Sequence, residues 1–171
     1  MWSQQRRIQR LVRRLEIALP TPLTVHGLVS ALEESRNRPI QFAAMTIDDQ
    51  TPCGLWVATA DTDYVLYNRN SSSVLKIQTI LHELMHMGLR HTAGAAVPVA
   101  GQLMAVFGAV GAQTVLARSA ATVSQQQEHE AELLATYLGA RLECGEQTLS
   151  FDELGDDTAA VMYRIAETLA D

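Results

Sequence analysis

The segment His82-Glu83-Leu84-Met85-His86 sets two imidazoles four residues apart. On an α-helix, residues at that spacing share one face a single turn apart, so both rings can reach one ion. Glu83, offset by one position, can reach a water bound to that ion. The chemistry implied is a divalent metal held by neutral ring nitrogens, with a carboxylate beside it able to move a proton. The surrounding residues sharpen this. At helical spacing Lys76, Thr79, His82, Glu83, His86 and Arg90 fall on one stripe about 120° wide, while Val74, Ile77, Ile80, Leu81, Leu84, Met85 and Met87 cover most of the rest. A helix apolar nearly all round is expected to be buried, and polar side chains on its remaining face must find partners there. Paired structural hydrogen bonds would satisfy the two histidines; a metal with its water satisfies all three residues.

Zinc catalysis requires a third protein ligand and one open position. A metzincin-type site would place Gly and His three and six residues after His86, whereas Gly88 and His91 lie two and five after it. His91 is therefore read as a helix-end residue that could border a substrate. A carboxylate from another helix is the alternative, and Glu128, Glu130 and Glu132 compete. The core stripe of that helix is Ala131, Leu134, Ala135, Leu138 and Leu142. Glu128 borders the stripe beside Ala135 and Gly139, Glu132 follows one turn later on the same inward edge, and Glu130 projects almost oppositely, toward Tyr137 and Arg141. Geometry favours Glu128 as the ligand, with Glu132 orienting a ligand histidine from behind and Glu130 on a solvated face. His129 falls on the wetter side. Two histidines and a carboxylate suit Zn2+, and also iron or manganese.

The segments HELMHMGLRH and EHEAELLATYL together resemble the ImmA/IrrE-like metallopeptidases, which carry a His-Glu-x-x-His helix and a later Glu-x-Glu-Ala-x-x-x-Ala helix. The resemblance covers roughly Arg38 to Leu142 and again makes Glu128 the metal-binding glutamate. It departs from the family at Met85, often Gly there, at Glu132, commonly Asn, and in the 41 residues between His86 and Glu128. It implies a zincin-like fold and a zinc endopeptidase: Glu83 takes a proton from water and passes it to the leaving amine. An oxyanion donor is also expected, with Tyr137, Tyr163 and His91 as open candidates. The family further implies a cytoplasmic regulatory protease acting on a protein or peptide, such as a helix-turn-helix repressor or an antitoxin. A second reading keeps the metal but not the chemistry: a toxin-like or regulatory binding module acting through its partner.

These residues need a scaffold, and the sequence outlines an α+β one, mainly helical, with a small antiparallel sheet before the His-Glu-x-x-His helix. A first helix is expected to run to about Leu19, where Pro20 and Pro22 oppose it. A second covers Thr24 to Asn37. The runs IQFAAMTI, GLWVATA and DYVLYN read as strands. Ser71 to Ser73 offer caps for the metal-site helix, expected to end near Gly88. Ser124 and Gln127 form a capping box for a helix from Gln125 to Leu142, and a last helix is expected over Thr158 to Leu169. The 171 residues fit one domain, with residues 1–37 as N-terminal helices, 38–142 as the core and 143–171 carrying the last helix.

Charge and apolar runs limit the partners. The net charge is −6, yet Arg6, Arg7, Arg10, Arg13 and Arg14 against Glu16 give the first twenty residues +4 and leave −10 elsewhere. Ile8, Leu11, Val12, Leu15 and Leu19 keep helical spacing, so these arginines read as the wet side of a docked helix and direct nucleic-acid binding is not expected. They also interrupt any apolar stretch a signal peptide would need. The two cysteines, Cys53 and Cys144, lack metal-site spacing and fit reduced thiols. The apolar run from Pro98 to Ala117 is long enough to span a bilayer, but its glutamines, glycines and helical periodicity favour a packed or lid-forming helix over membrane association.

Overall fold

Side-chain caps set where most helices begin. The computed structural model describes residues 2–45, 54–58, 61–91, 116–118 and 124–142. Along the chain these form α1 (Trp2–Arg14), α2 (Val25–Arg36), β1 (Ile40–Met45), β2 (Gly54–Ala58), β3 (Asp63–Asn68), α3 (Ser73–Gly88), β4 (Leu116–Arg118) and α4 (Gln125–Gly139). The Thr24 hydroxyl accepts from Gly27 N at 3.0 Å to start α2, and Ser72 Oγ accepts from Leu75 N at 3.3 Å to start α3. At α4 the capping box is complete: Ser124 Oγ accepts from Gln127 N and Gln127 Oε1 accepts from Ser124 N, both at 3.2 Å. Each cap satisfies an amide that has no partner within its helix.

Two helix ends fall earlier than the residue pattern suggests. α1 ends at Arg14 rather than near Leu19, because the chain turns at Glu16, which has φ 53°. The turn still buries Leu15, one helical turn beyond the buried Leu11. α4 ends at Gly139, short of Leu142. The expected last helix, Thr158 to Leu169, and both cysteines lie outside the described residues. So does the apolar run up to residue 115; its last residues, Leu116 and Ala117, belong to a strand and not to a helix. Among the described residues, no helix is long and apolar enough to cross a membrane.

The sheet is mixed rather than antiparallel, in the order β1-β3-β2-β4. β2 pairs antiparallel with β3 and with β4, but β1 lies on the far side of β3 and runs parallel to it. The physical reason is visible in DYVLYN: its first five residues are all buried, as befits a central strand covered on both faces and flanked on both sides. A simple meander would have left β3 at an edge.

One face of this sheet carries α3. Phe42, Val65 and Trp56 stand in register across β1, β3 and β2 and join the same core as Ile80, Leu84 and Met87 of α3. α4 packs on the other side of α3, so α3 lies between sheet and helix and its apolar residues from Ile80 to Met87 are wholly excluded from solvent. α1 lies against α4, and Leu15 and Leu32 close over Gly88, where a Cβ would stand 2.7 Å and 3.1 Å from their methyls. A buried carboxylate ties the frame together. Asp63, at the start of β3, accepts from Arg36 Nη2 at 2.6 Å, from Arg36 Nε at 3.0 Å and from Trp56 Nε1 at 3.1 Å. Arg36 Nη1 also donates to the Met87 carbonyl at 3.4 Å, linking the end of α2 to the end of α3. The result is a mostly helical α+β arrangement.

Candidate metal centre

α3 and α4 face each other across His82, His86 and Glu128. One ligand atom from each of these residues lies within 4.8 Å of the others. The Nε2 atoms of His82 and His86 are 2.9 Å apart; Glu128 Oε2 is 3.3 Å from His82 Nε2, and Glu128 Oε1 is 3.5 Å from His86 Nε2. Tetrahedral ligands at about 2.0–2.1 Å from a zinc ion stand about 3.3 Å from one another. The two histidine-to-carboxylate separations match that spacing, and the histidine pair is slightly tighter. Such a donor set, two imidazoles and a carboxylate with no thiolate, could hold a metal ion.

Helical geometry produces the convergence. His82 and His86 lie one turn apart on the strip of α3 that turns toward α4, and Glu128 stands in the first turn of α4. A carboxylate there also favours the helix's positive end. Their burial is graded, with His86 almost wholly enclosed and His82 and Glu128 partly open. An open side toward solvent is what an exchangeable position needs. Glu132, one turn after Glu128, places Oε2 3.4 Å from His82 Nδ1. With His82 Nε2 turned to the centre, its Nδ1 faces that exposed carboxylate at ion-pair distance.

Glu83 is buried and lies outside the convergent trio. Its carboxylate faces the sheet at Gly54, the first residue of β2. A Cβ on Gly54 would stand 3.3 Å from Glu83 Oε1 and only 2.3 Å from the Thr79 methyl. The absence of a side chain at Gly54 thus lets the strand close over this part of α3.

Behind His86 lies an arrangement the sequence reading did not anticipate. His86 Nδ1 is 3.1 Å from His91 Nδ1, and His91 Nε2 is 3.4 Å from Glu130 Oε2. Arg14 Nη1 donates to the same Glu130 oxygen at 2.6 Å, and Gln126 Nε2 donates to Glu130 Oε1 at 3.0 Å. Glu130 is therefore not on a solvated face, being 7% exposed and enclosed by α1. Burial pushes its carboxyl up, but hydrogen bonds from Gln126 and Arg14, the Arg14 charge and the His91 contact outweigh that and hold it below the ordinary carboxylate value. One signal for this was present: Leu134 follows Glu130 by one turn, so Glu130 borders the core on the side opposite Glu128. What the sequence lacked was the position of α1.

His91 is likewise more than a helix end, since it is 2% exposed against His86. Arg90 takes the left-handed conformation, φ 52°, and the chain folds back: Arg90 N donates to Met87 O and His91 N to His86 O, both at 3.0 Å. This pair of bonds is the Schellman closure, which brings the side chain after the turn onto that of the helix's last turn. The contact is ordinarily apolar; here it joins two imidazoles. Of the oxyanion candidates, Tyr137 has its hydroxyl engaged by Arg141 Nη1 at 3.0 Å, and Tyr163 lies outside the described residues. His129 is exposed.

Searches against protein-family models, curated proteins and solved structures found no match.

Proposed function

We propose that this chain is a zinc-dependent endopeptidase of the ImmA/IrrE-like kind, with His82, His86 and Glu128 as metal ligands and Glu83 as general base. The observation that carries this reading is the convergence of one ligand atom from Glu128 of α4 with those of His82 and His86 on α3, the helix that also bears Glu83. Bound zinc would lower the pKa of a coordinated water to about 7 and polarise a scissile carbonyl. The Glu83 carboxylate takes the proton from the attacking water and delivers it to the amine nitrogen as the peptide C–N bond breaks. Burial against Gly54 restricts that carboxylate to few orientations, which suits a proton carrier. Glu132 faces the His82 ring.

The resemblance of HELMHMGLRH and EHEAELLATYL to this family supports a regulatory role in the cytoplasm, with a helix-turn-helix repressor or an antitoxin as the protein cut. A proteome-derived peptide library tests the reaction. Zinc-loaded protein should create new peptide N-termini that the Glu83→Gln variant does not, with the variant's zinc content unchanged. If no Glu83-dependent termini arise from zinc-loaded protein, the peptidase reading fails and the metal-containing binding module stands in its place. Zinc retained by Glu128→Ala but lost from Glu130→Ala would overturn the ligand assignment.

A further inference from the structure

We infer that helix α1 is coupled to the metal centre through Arg14, Glu130 and His91, which together position the ring of His86. The inference rests on His86 being a metal ligand, as proposed above.

The argument begins with proton placement. His86 turns Nε2 toward His82 and Glu128, so a metal held there requires that nitrogen bare and the proton on Nδ1. The atom facing His86 Nδ1 at 3.1 Å is His91 Nδ1, which must then accept, leaving His91 with its proton on Nε2. That nitrogen faces Glu130 Oε2 at 3.4 Å, an acceptor. One tautomer of each ring therefore serves both of these contacts, from the metal side outward. The opposite assignment would aim His91 Nε2, as an acceptor, at a carboxylate. Arg14 and Gln126 supply the donors that anchor the carboxylate at the outer end.

The four residues come from three separate elements. His86 is on α3, His91 is held by the turn that closes it, Glu130 is on α4 and Arg14 is in the last turn of α1. Arg14 is half-exposed while the groups inside it are enclosed, so it is the point at which the network meets the surface. Partners behind a ligating histidine fix its orientation and raise its basicity, and losing one typically weakens metal binding. Because the outermost partner belongs to α1, whatever tightens the docking of α1 also tightens the metal, and by linkage the metal tightens α1. Arg14, Glu130 and His91 are positioning residues; none is assigned to the reacting atoms.

Zinc affinity of the full chain, measured by competition with a chromophoric chelator, is the direct test. Arg14→Gln should weaken binding by about fivefold or more, the lower end of measured couplings between sites. Arg14→Lys should recover part of that loss, and Glu130→Gln and His91→Leu should weaken binding by about 10–100-fold. Cobalt-loaded protein should show a shifted visible spectrum in the Glu130 and His91 variants. Zinc should slow amide exchange throughout residues 2–14 of the parent chain and do so less in Arg14→Gln. A parent that binds zinc through Glu128, with Arg14→Gln, Glu130→Gln and His91→Leu all within twofold of it, would overturn the coupling and leave the metal reading intact. A parent that binds no zinc, or binds it equally well as Glu128→Ala, would overturn the centre itself and the coupling with it.

Discussion

Gly54 and Arg90 show how single residues govern the centre without touching a metal. A methyl at position 54 would meet the Thr79 methyl at 2.3 Å, and Thr79 is a β-branched residue on a helix with little freedom to turn away. Gly54→Ala is expected to cost about 1–3 kcal/mol of stability, as overpacked interiors do. On the peptidase reading it should also lower turnover with zinc affinity unchanged, because the group crowded beside Thr79 is Glu83, 3.3 Å from the added Cβ, rather than a proposed ligand. The pair Gly54→Ala and Thr79→Ser supplies the check: chemical denaturation should recover most of the loss in the double variant, and additive effects would count against the clash. At Arg90 the strain is in the backbone. An L-residue at φ 52° pays for a conformation glycine adopts freely, and its contact with Glu16 is a surface pair of little value. Arg90→Gly should raise stability slightly, by about 1 kcal/mol or less, because the strain relieved is partly offset by the greater freedom of glycine in the unfolded chain, with the His86–His91 contact retained. A fall in melting temperature would show that the arginine side chain outweighs its backbone.

Among the elements, those announced by local chemistry were legible from sequence and those decided by neighbours were not. α2 begins beside Thr24, where the sequence placed its start, α3 begins at Ser72, one of the expected serines, and α4 has the Ser124 and Gln127 capping box read from two letters. Because α4 carries Glu128 in its first turn, Ser124→Ala should fray that turn, costing about 1 kcal/mol. Zinc binding should weaken with it, which calorimetric titration would measure; unchanged affinity would mean that packing alone holds Glu128. The sheet was legible as strands but not as topology. Alternation and turn residues mark β1, β2 and β3, yet nothing local says that β1 crosses to the far side of β3 and runs parallel to it. The near-continuous burial of DYVLYN is the trace of that arrangement. Helical periodicity put Glu128 on the side of α4 that faces α3, whereas Glu132, read onto the same inward edge, is exposed and meets His82 from the solvent side. Glu130 was not legible in this way, because its burial depends on α1, more than a hundred residues earlier.

For the molecule as a whole, the three proposed ligands come from α3 and α4, which lie far apart along the chain, so metal binding and folding should be linked. At free zinc about a hundred times the dissociation constant, the folded state gains about 2.7 kcal/mol. For a chain of this size that corresponds to about 5–10 °C in melting temperature. Scanning calorimetry before and after chelation should register the difference, and Glu128→Ala should abolish it. Equal melting temperatures with and without zinc would mean that no ion stabilises the fold.

The order of the ligands along the chain has one more consequence. His82 and His86 precede residues 92–115 and Glu128 follows them. A protease cut anywhere in that interval divides the ligand set into a two-histidine piece and a one-carboxylate piece. A bound ion would then be one further tie between the pieces, beside the α3–α4 core and the β2–β4 ladder, so that withdrawing it should destabilise a nicked molecule more than an intact one.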